Sequence, residues 1–572
     1  VAVVSPQSGA PLLANGGGAL RLSLRGGGLP TVDAVASRYV LTGDGLRSEV
    51  SGAVAGSLGP LRNALLKTSG RLILRNGAIS YVAASCTPVT LERLELGEND
   101  VERLAGSLCP TDSPLLTLEG GAWRVRARAQ NLSAAAPFLE VRATEAAGTL
   151  DLGGKGQAFQ ADMAVATARV TDTAAATRFN PVRLSGAVVS RGGDWTGGLA
   201  AADLEGRPLG RGVLRHAGAT GLGGIAFDTG VLTFAEGGLQ PSALSPMAAA
   251  ITAPAVGKAR FEGQVAWSPA PAPPTGGGVL TLEGAGFKSP VGAISGLNGR
   301  IVFTSLAPLV TAPGQSLTAD RVAALTPLTE VKASFQLDAT SLKLQGASLA
   351  VGGGTLRLEP TSVPLDGSAW EGRLNVEAVQ LSGLVEASPF ADRVDLDARV
   401  TGVLPFAVTP QGVRVMEGKL AAIQPGRISI RREALSTVSA QGGAATAPAA
   451  PVGTPAPVAP TNTVTEFAYQ AMEHLAFDHL DVTLNSLPAG RLGALFHFQG
   501  RFDPPKRQDL YVSLVDLITK RFLQRNLPLP SGTAVNLTLD SSLNLDEVLR
   551  DVAAARLPGS PPVQPQEPSI RP

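Results

Sequence analysis

The chain has 572 residues, 44% of them hydrophobic but only 4% aromatic, with 67 glycines, 43 prolines and a net charge of +1. That length exceeds what one compact core holds, and so much glycine and proline excludes a helical bundle, while no Gly-X-Y period signals collagen. Balanced charge without a basic stripe excludes the usual nucleic-acid binder, and the aliphatic apolar surface suits packing or acyl chains better than stacking on bases or sugars.

Taken in chain order, the opening VAVVSPQSGAPLL has neither a basic start nor a long apolar run, so it is neither signal peptide nor membrane span. No later stretch reaches about 18 uninterrupted apolar residues. Either the protein is cytoplasmic, or the chain starts after a targeting or anchoring segment, which the cysteines below favour. GGGALRLSLRGGG (16–28) lacks the Lys-Ser/Thr of a phosphate loop, so its glycines read as turns. RLILRNGAISY carries Asn76-Gly77, a two-residue hairpin turn. Cys86 and Cys109 are the only cysteines, and they read either as two buried thiols or as one disulfide formed in an oxidising compartment. The disulfide is the favoured reading, and with it export from the cytoplasm. A metal centre is disfavoured because His216, His474, His479 and His497 lie far from both cysteines, and no further ligands are spaced for zinc.

Period-two alternation dominates the remainder and marks strands with one apolar and one wet face. In GAWRVRARAQ, Trp123, Val125, Ala127 and Ala129 oppose Arg124, Arg126, Arg128 and Gln130. In VKASFQLD, Val331, Ala333, Phe335 and Leu337 oppose Lys332, Ser334, Gln336 and Asp338. GRLNVEAVQ contributes Leu374 and Val376, and VDLDARV contributes Val394, Leu396, Ala398 and Val400. GVRVMEGKLAAIQPGRISIRR reads as three strands with turns at Glu417-Gly418 and Pro425-Gly426, the first bearing Val413 and Val415. AVNLTLD closes the series with Val535, Leu537 and Leu539. Helical spacing is confined to 467–477 and 543–557, with 509–523 ambiguous: Leu510, Val512 and Leu514 alternate, then Leu514, Ile518 and Phe522 follow helical spacing.

The expected organisation is a first β-rich part over 1–267, a Pro/Gly loop at 268–278, and a continued β-rich part over 279–435. A disordered low-complexity insertion follows at 436–462, then an end region with short helices over 463–556 and a Pro-rich tail at 557–572. At about 12 residues per strand and turn, the chain makes roughly 40 strands, and stacked at about 4.8 Å they would extend roughly 190 Å. The fold class is all-β: a long, twisted, curled antiparallel sheet with a few short helices near the C-terminus.

No catalytic or cofactor constellation accompanies this sheet. GLGGIA (221–226) matches a dinucleotide fingerprint in spacing only, because a strand-like FDTGVLTF follows where a helix is required. No GxSxG occurs, and Asp395 and Asp397 sit on the polar face of their strand. The protein is read as a non-enzyme without cofactors.

Several strings carry a resemblance to a known family. They are Cys86 with Leu-Cys109-Pro, FDTGVLTFAEGGLQPSALSP (227–246), SGLNGRIVF (295–303), TAPGQSLTADRV (311–322), LPFAVTPQGVRVMEGKLAAIQPGRISI (404–430), RLGALFHFQGRFDPP (491–505) and LPSGTAVNLTLDSSLN (529–544). With them the chain resembles the YdbH proteins of the AsmA-like superfamily, which also includes TamB. The resemblance implies a taco-shaped sheet, anchored in the inner membrane of a Gram-negative cell by an N-terminal helix missing here. It would cross the periplasm and conduct phospholipids toward the outer membrane along a hydrophobic groove. On that reading Val331, Phe335, Leu337, Leu374, Val376, Val394, Leu396, Val413 and Val415 line the groove. Val535, Leu537 and Leu539 mark the edge where a small outer-membrane lipoprotein, similar to YnbE, adds strands. The alternative reading is a scaffold that assists outer-membrane protein assembly by offering strand edges.

Overall fold

The computed structural model describes all residues except 1, 7–15, 27–29, 59–60, 96–98, 157, 250, 270–271, 290–291, 324–325, 388–390, 411, 432–469, 489–490, 510–528 and 545–572. Its strands form one large antiparallel sheet of 35 strands, interrupted by short helical turns. The expectations for 436–462, 509–523 and 557–572, and most of that for 543–557, fall outside the described residues. The chain divides into two compact units.

The first unit comprises Val1–Ile251, Lys258–Thr281 and Val302–Leu309. Its strands are joined largely by tight turns, as at Asn76-Gly77, where Arg75 pairs with Ala78. Both turn residues have positive φ (48° and 80°), the backbone that matches strand twist and that Gly77 adopts without strain. Register fixes which side chains share a face. One lateral row runs Tyr39, Ser48, Leu72, Tyr81, Leu116, Val125, Leu152, Ala161, Ser190, Trp195, His216, Gly223, Trp267. The opposite face is wet: Arg124 and Arg126 both reach Asp151, and Arg191 reaches Asp162. The Arg124 hydrogen bond holds the Asp151 carboxyl below its ordinary range. Such exposed pairs add little stability, but they fix which face water sees.

Cys86 and Cys109 form a disulfide. It spans a gap in the ladder. Tyr81 pairs with Leu116 and Thr87 with Leu108, leaving unequal lengths of chain between them. The staple holds this gap over a small core of Tyr81, Ala83, Leu115 and Ala127. Closing a loop of 23 residues restricts the unfolded chain by about 3 kcal/mol. The Cys86→Ser, Cys109→Ser double variant is therefore expected to lower stability by that amount in urea titration. An unchanged midpoint would mean that the staple carries no stability.

A polar latch gathers neighbouring strand ends in the same unit. Arg178 bonds Asp172 at 2.7 Å and the carbonyl of Leu139 at 2.8 Å. Asn180 donates to the carbonyls of Ser242 and Ala243, and the Ser245 hydroxyl to that of Arg178. This ties the helical turn Pro241–Leu244 to the end of the strand Ala158–Asp172. Burial alone would raise the Asp172 pKa. The Arg178 guanidinium and the backbone N–H groups of Arg178 and Ala174 outweigh it and lower the value to about 2. A folded-state pKa below the unfolded one stabilises at neutral pH, and that stabilisation is lost as pH falls through the folded value. The first unit should lose about 2 kcal/mol on this account between pH 5 and 2. Asp172→Asn should flatten that part of the stability–pH curve, and an unaltered slope would contradict the latch.

The second unit comprises Thr252–Gly257, Leu282–Ile301 and Val310–Pro572. Here two expected turns are corrected. Gly412–Val415 and Gly418–Ala422 both pair with the same strand, Arg399–Thr409, so Glu417 (φ 51°) sits in a bulge of one long run. Likewise Gly418–Ala422 and Gly426–Ile430 both pair with Leu475–Ser486 across Pro425-Gly426. Both points are bends, not reversals; Glu417 takes the left-handed backbone that a bulge can share with a tight turn. Ala378 (φ 51°) makes a similar step where the ladder to Arg399–Thr409 slips between Val376 and Val379.

The helical reading of 467–477 holds only for 470–473 among the described residues, and Leu475 and Phe477 belong to a strand. Tertiary pairing overrides the local rhythm there. Both side chains enter a dense core with Phe498, Leu480, Met472 and Leu396.

Candidate functional site

The second unit brings the nine candidate lining residues onto one face. Leu356, Val376, Gly402, Leu420, Val482, Phe496 and Leu539 lie opposite one another in adjacent strands. One step along, Leu317, Ala333, Ala347, Leu358, Leu374 and Leu404 form a parallel row. Val331 and Phe335 flank Ala333 on that face, with Leu337 beyond them. Val413 and Val415 continue it opposite Val408 and Phe406. The face is thus built of branched aliphatic side chains across many strands, which is what alternation in each strand and fixed register together require.

Burial separates the nine. Val331, Phe335, Leu337, Leu374, Val394, Val413 and Val415 are half-buried. Val376 and Leu396 are 5% exposed and packed into cores. Val376 lies with Val351, Val379 and Val400, and Leu396 opposes Ile428. Half-buried members can meet a ligand in the folded state; the other two are held by protein.

Val535, Leu537 and Leu539 stand on the strand Ala534–Asn544, opposite Gly500, Phe498 and Phe496. Their side chains pack on the core cluster rather than outward. What this strand offers is its backbone: among the described residues it pairs only with Arg491–Phe502, so its second edge is unpaired there.

Sequence reasoning missed an aromatic band on the apolar face of the first unit. Trp123 contacts Phe159, which contacts Trp195. Trp195 lies opposite His216 in register, and the Trp267 indole N–H donates to His216 Nδ1 at 3.2 Å. A methyl on Gly154 would sit 2.8 Å from the Trp123 ring, and one on Gly223 2.5 Å from that of Trp267. These glycines let the rings lie flat over the neighbouring strand. The available signal was tryptophan at strand ends facing glycine, visible only once pairing is known.

Opposite strand ends also meet here. Asn99, 5% exposed, donates to the carbonyls of Gly221 and Ser268 at 3.2 and 3.0 Å. Phe138 packs edge-on against Trp267 with centroids 5.5 Å apart. GLGGIA lies at this meeting point as a turn entering the strand Leu222–Asp228, without a following helix. Of the other histidines, His474 contacts Phe502, while His479 is exposed on the polar side of its strand. Among the described residues no cluster of three or more His, Cys, Asp or Glu could hold a metal ion, and no helix is long and apolar enough to cross a membrane.

Residues 18–451 match the family model described as YdbH-like, intermembrane phospholipid transport protein YdbH. Neither the curated proteins nor the solved structures give a match.

Proposed function

We propose that this chain, which belongs to the YdbH-like family of intermembrane phospholipid transport proteins, carries phospholipids by seating their acyl chains along its apolar face. The single observation that carries the reading is the set of aliphatic rows that register aligns on one face of the second unit, opposite a face where Arg357 and Glu377 form an ion pair. Each acyl methylene exposed to water costs about 0.8 kcal/mol. For the roughly 30 methylenes of one phospholipid the barrier to crossing water exceeds about 20 kcal/mol. A continuous lining of Val, Leu and Phe removes most of that barrier, while headgroups stay in solvent. A uniform lining has no deep trap, so lipids slide. The chain works as a non-catalytic bridge.

The compartment we assign is the periplasm, with attachment to the inner membrane; the disulfide supports an oxidising location. The edge of Ala534–Asn544 that is unpaired among the described residues accepts a strand from a small outer-membrane lipoprotein by β-augmentation. The same edge favours a second reading, a scaffold for outer-membrane protein assembly.

The test is transfer between vesicles. Donor vesicles carrying a fluorescent phospholipid should exchange it with acceptor vesicles faster when the purified chain is present. No acceleration, together with binding of unfolded outer-membrane polypeptide, would favour the scaffold.

A further inference from the structure

We infer that the meeting of opposite strand ends in the first unit is a closure that must open before an acyl chain can pass along the apolar face there; this rests on the phospholipid reading above. The topology shows that the ends are opposite. Ala136 pairs with Val141, Val141 with Asp172, Val170 with Val182, Arg183 with Ala202, and Arg211 with Asp228. Asp228 therefore marks the strand end that Ala136 and Phe138 share, and Glu102 joins it by pairing with Ala135. Gly223 and Trp267 pair with each other at the other end. Asn99 and Phe138 thus reach from one line of strand ends to the other.

What lies beneath the contact is filled. Ala161, Ser190, Trp195, His216 and Trp267 are all buried on the apolar face. Three of these five carry rings, where the half-buried candidates of the second unit are mostly aliphatic. An acyl chain cannot share this space with them at protein packing density.

Two features suit a contact that opens. It is made by side chains, two amide hydrogen bonds and one ring pair, not by a strand ladder. The turn that carries Phe138, Pro137–Leu139, is held from behind by Arg178 and the Asp172 latch, so it can move with its own strand ends.

The experiment locks the closure. Asn99→Cys and Ser268→Cys are joined by a short bifunctional thiol reagent, the native cysteines being already paired. A photocrosslinking amino acid is placed at Leu72 or at Phe335, apolar-face positions on strands before and after the closure in chain order. Without the reagent, phospholipid adducts are expected at both positions, which also establishes that the variant is folded and loaded. With it, the adduct at one or both should be lost. Adducts of unchanged yield at both positions after complete crosslinking would overturn the closure and leave the lipid reading intact. No adduct at either position without the reagent would overturn the lipid reading and the closure with it.

Discussion

Phe498→Ala is expected to destabilise the end of the sheet by about 3–5 kcal/mol. Phe498 is 0% exposed and packs against Phe477 with ring centroids 5.6 Å apart. Its neighbours in register, Leu480 and Leu537, belong to adjacent strands, so the cavity would open where three strands meet. Hydrogen exchange should show it: amides of Leu475–Ser486, Arg491–Phe502 and Ala534–Asn544 would lose protection together. Amides of the first unit would keep theirs. Protection unchanged in these three strands would mean that the cluster does not hold them. Because Ala534–Asn544 presents the proposed docking edge, the variant should also fail to bind a partner strand.

A charge is expected to do different things at two positions that alternation treats alike. Phe335→Asp should abolish phospholipid transfer in a protein that remains folded. The side chain is half-buried on the apolar face between Gln315 and Leu344, so the carboxylate stays hydrated and interrupts the lining. An acyl chain passing it would have to desolvate an ion, a cost of several kcal/mol. Leu396→Arg should instead unfold the end of the second unit, because Leu396 is 5% exposed among Ile428, Ile430, Met472 and Leu475. Vesicle transfer and far-UV circular dichroism, measured on both variants, separate the two outcomes. Transfer retained in a folded Phe335→Asp protein would remove that face from the lipid path.

These two residues also indicate how much could be read from the sequence. Strand alternation places both Phe335 and Leu396 on an apolar face, and it does so correctly, because side-chain direction is local geometry. Whether a partner strand then covers that face depends on residues far along the chain. Met472 and Phe477 bury Leu396, and nothing in VDLDARV records it. The Asn76-Gly77 hairpin was legible for the same local reason. Glu417-Gly418 misled because a bulge and a turn use one backbone conformation and differ only in what pairs next. The disulfide followed from two cysteines alone in the chain. The Asn99 contact was not legible, since it joins strand ends more than a hundred residues apart in sequence, and the aromatic band was not, since its rings come together only once strand pairing is known.

The central claim is that one face of the sheet, and not the other, touches lipid. The most direct measurement places a photocrosslinker singly at Phe335 and at its neighbour Gln336, on opposite faces of the strand Leu328–Leu337, and identifies the adducts by mass spectrometry. Phospholipid attached at 335 and absent at 336 is the expected result. Phospholipid at neither position, or equally at both, would contradict it.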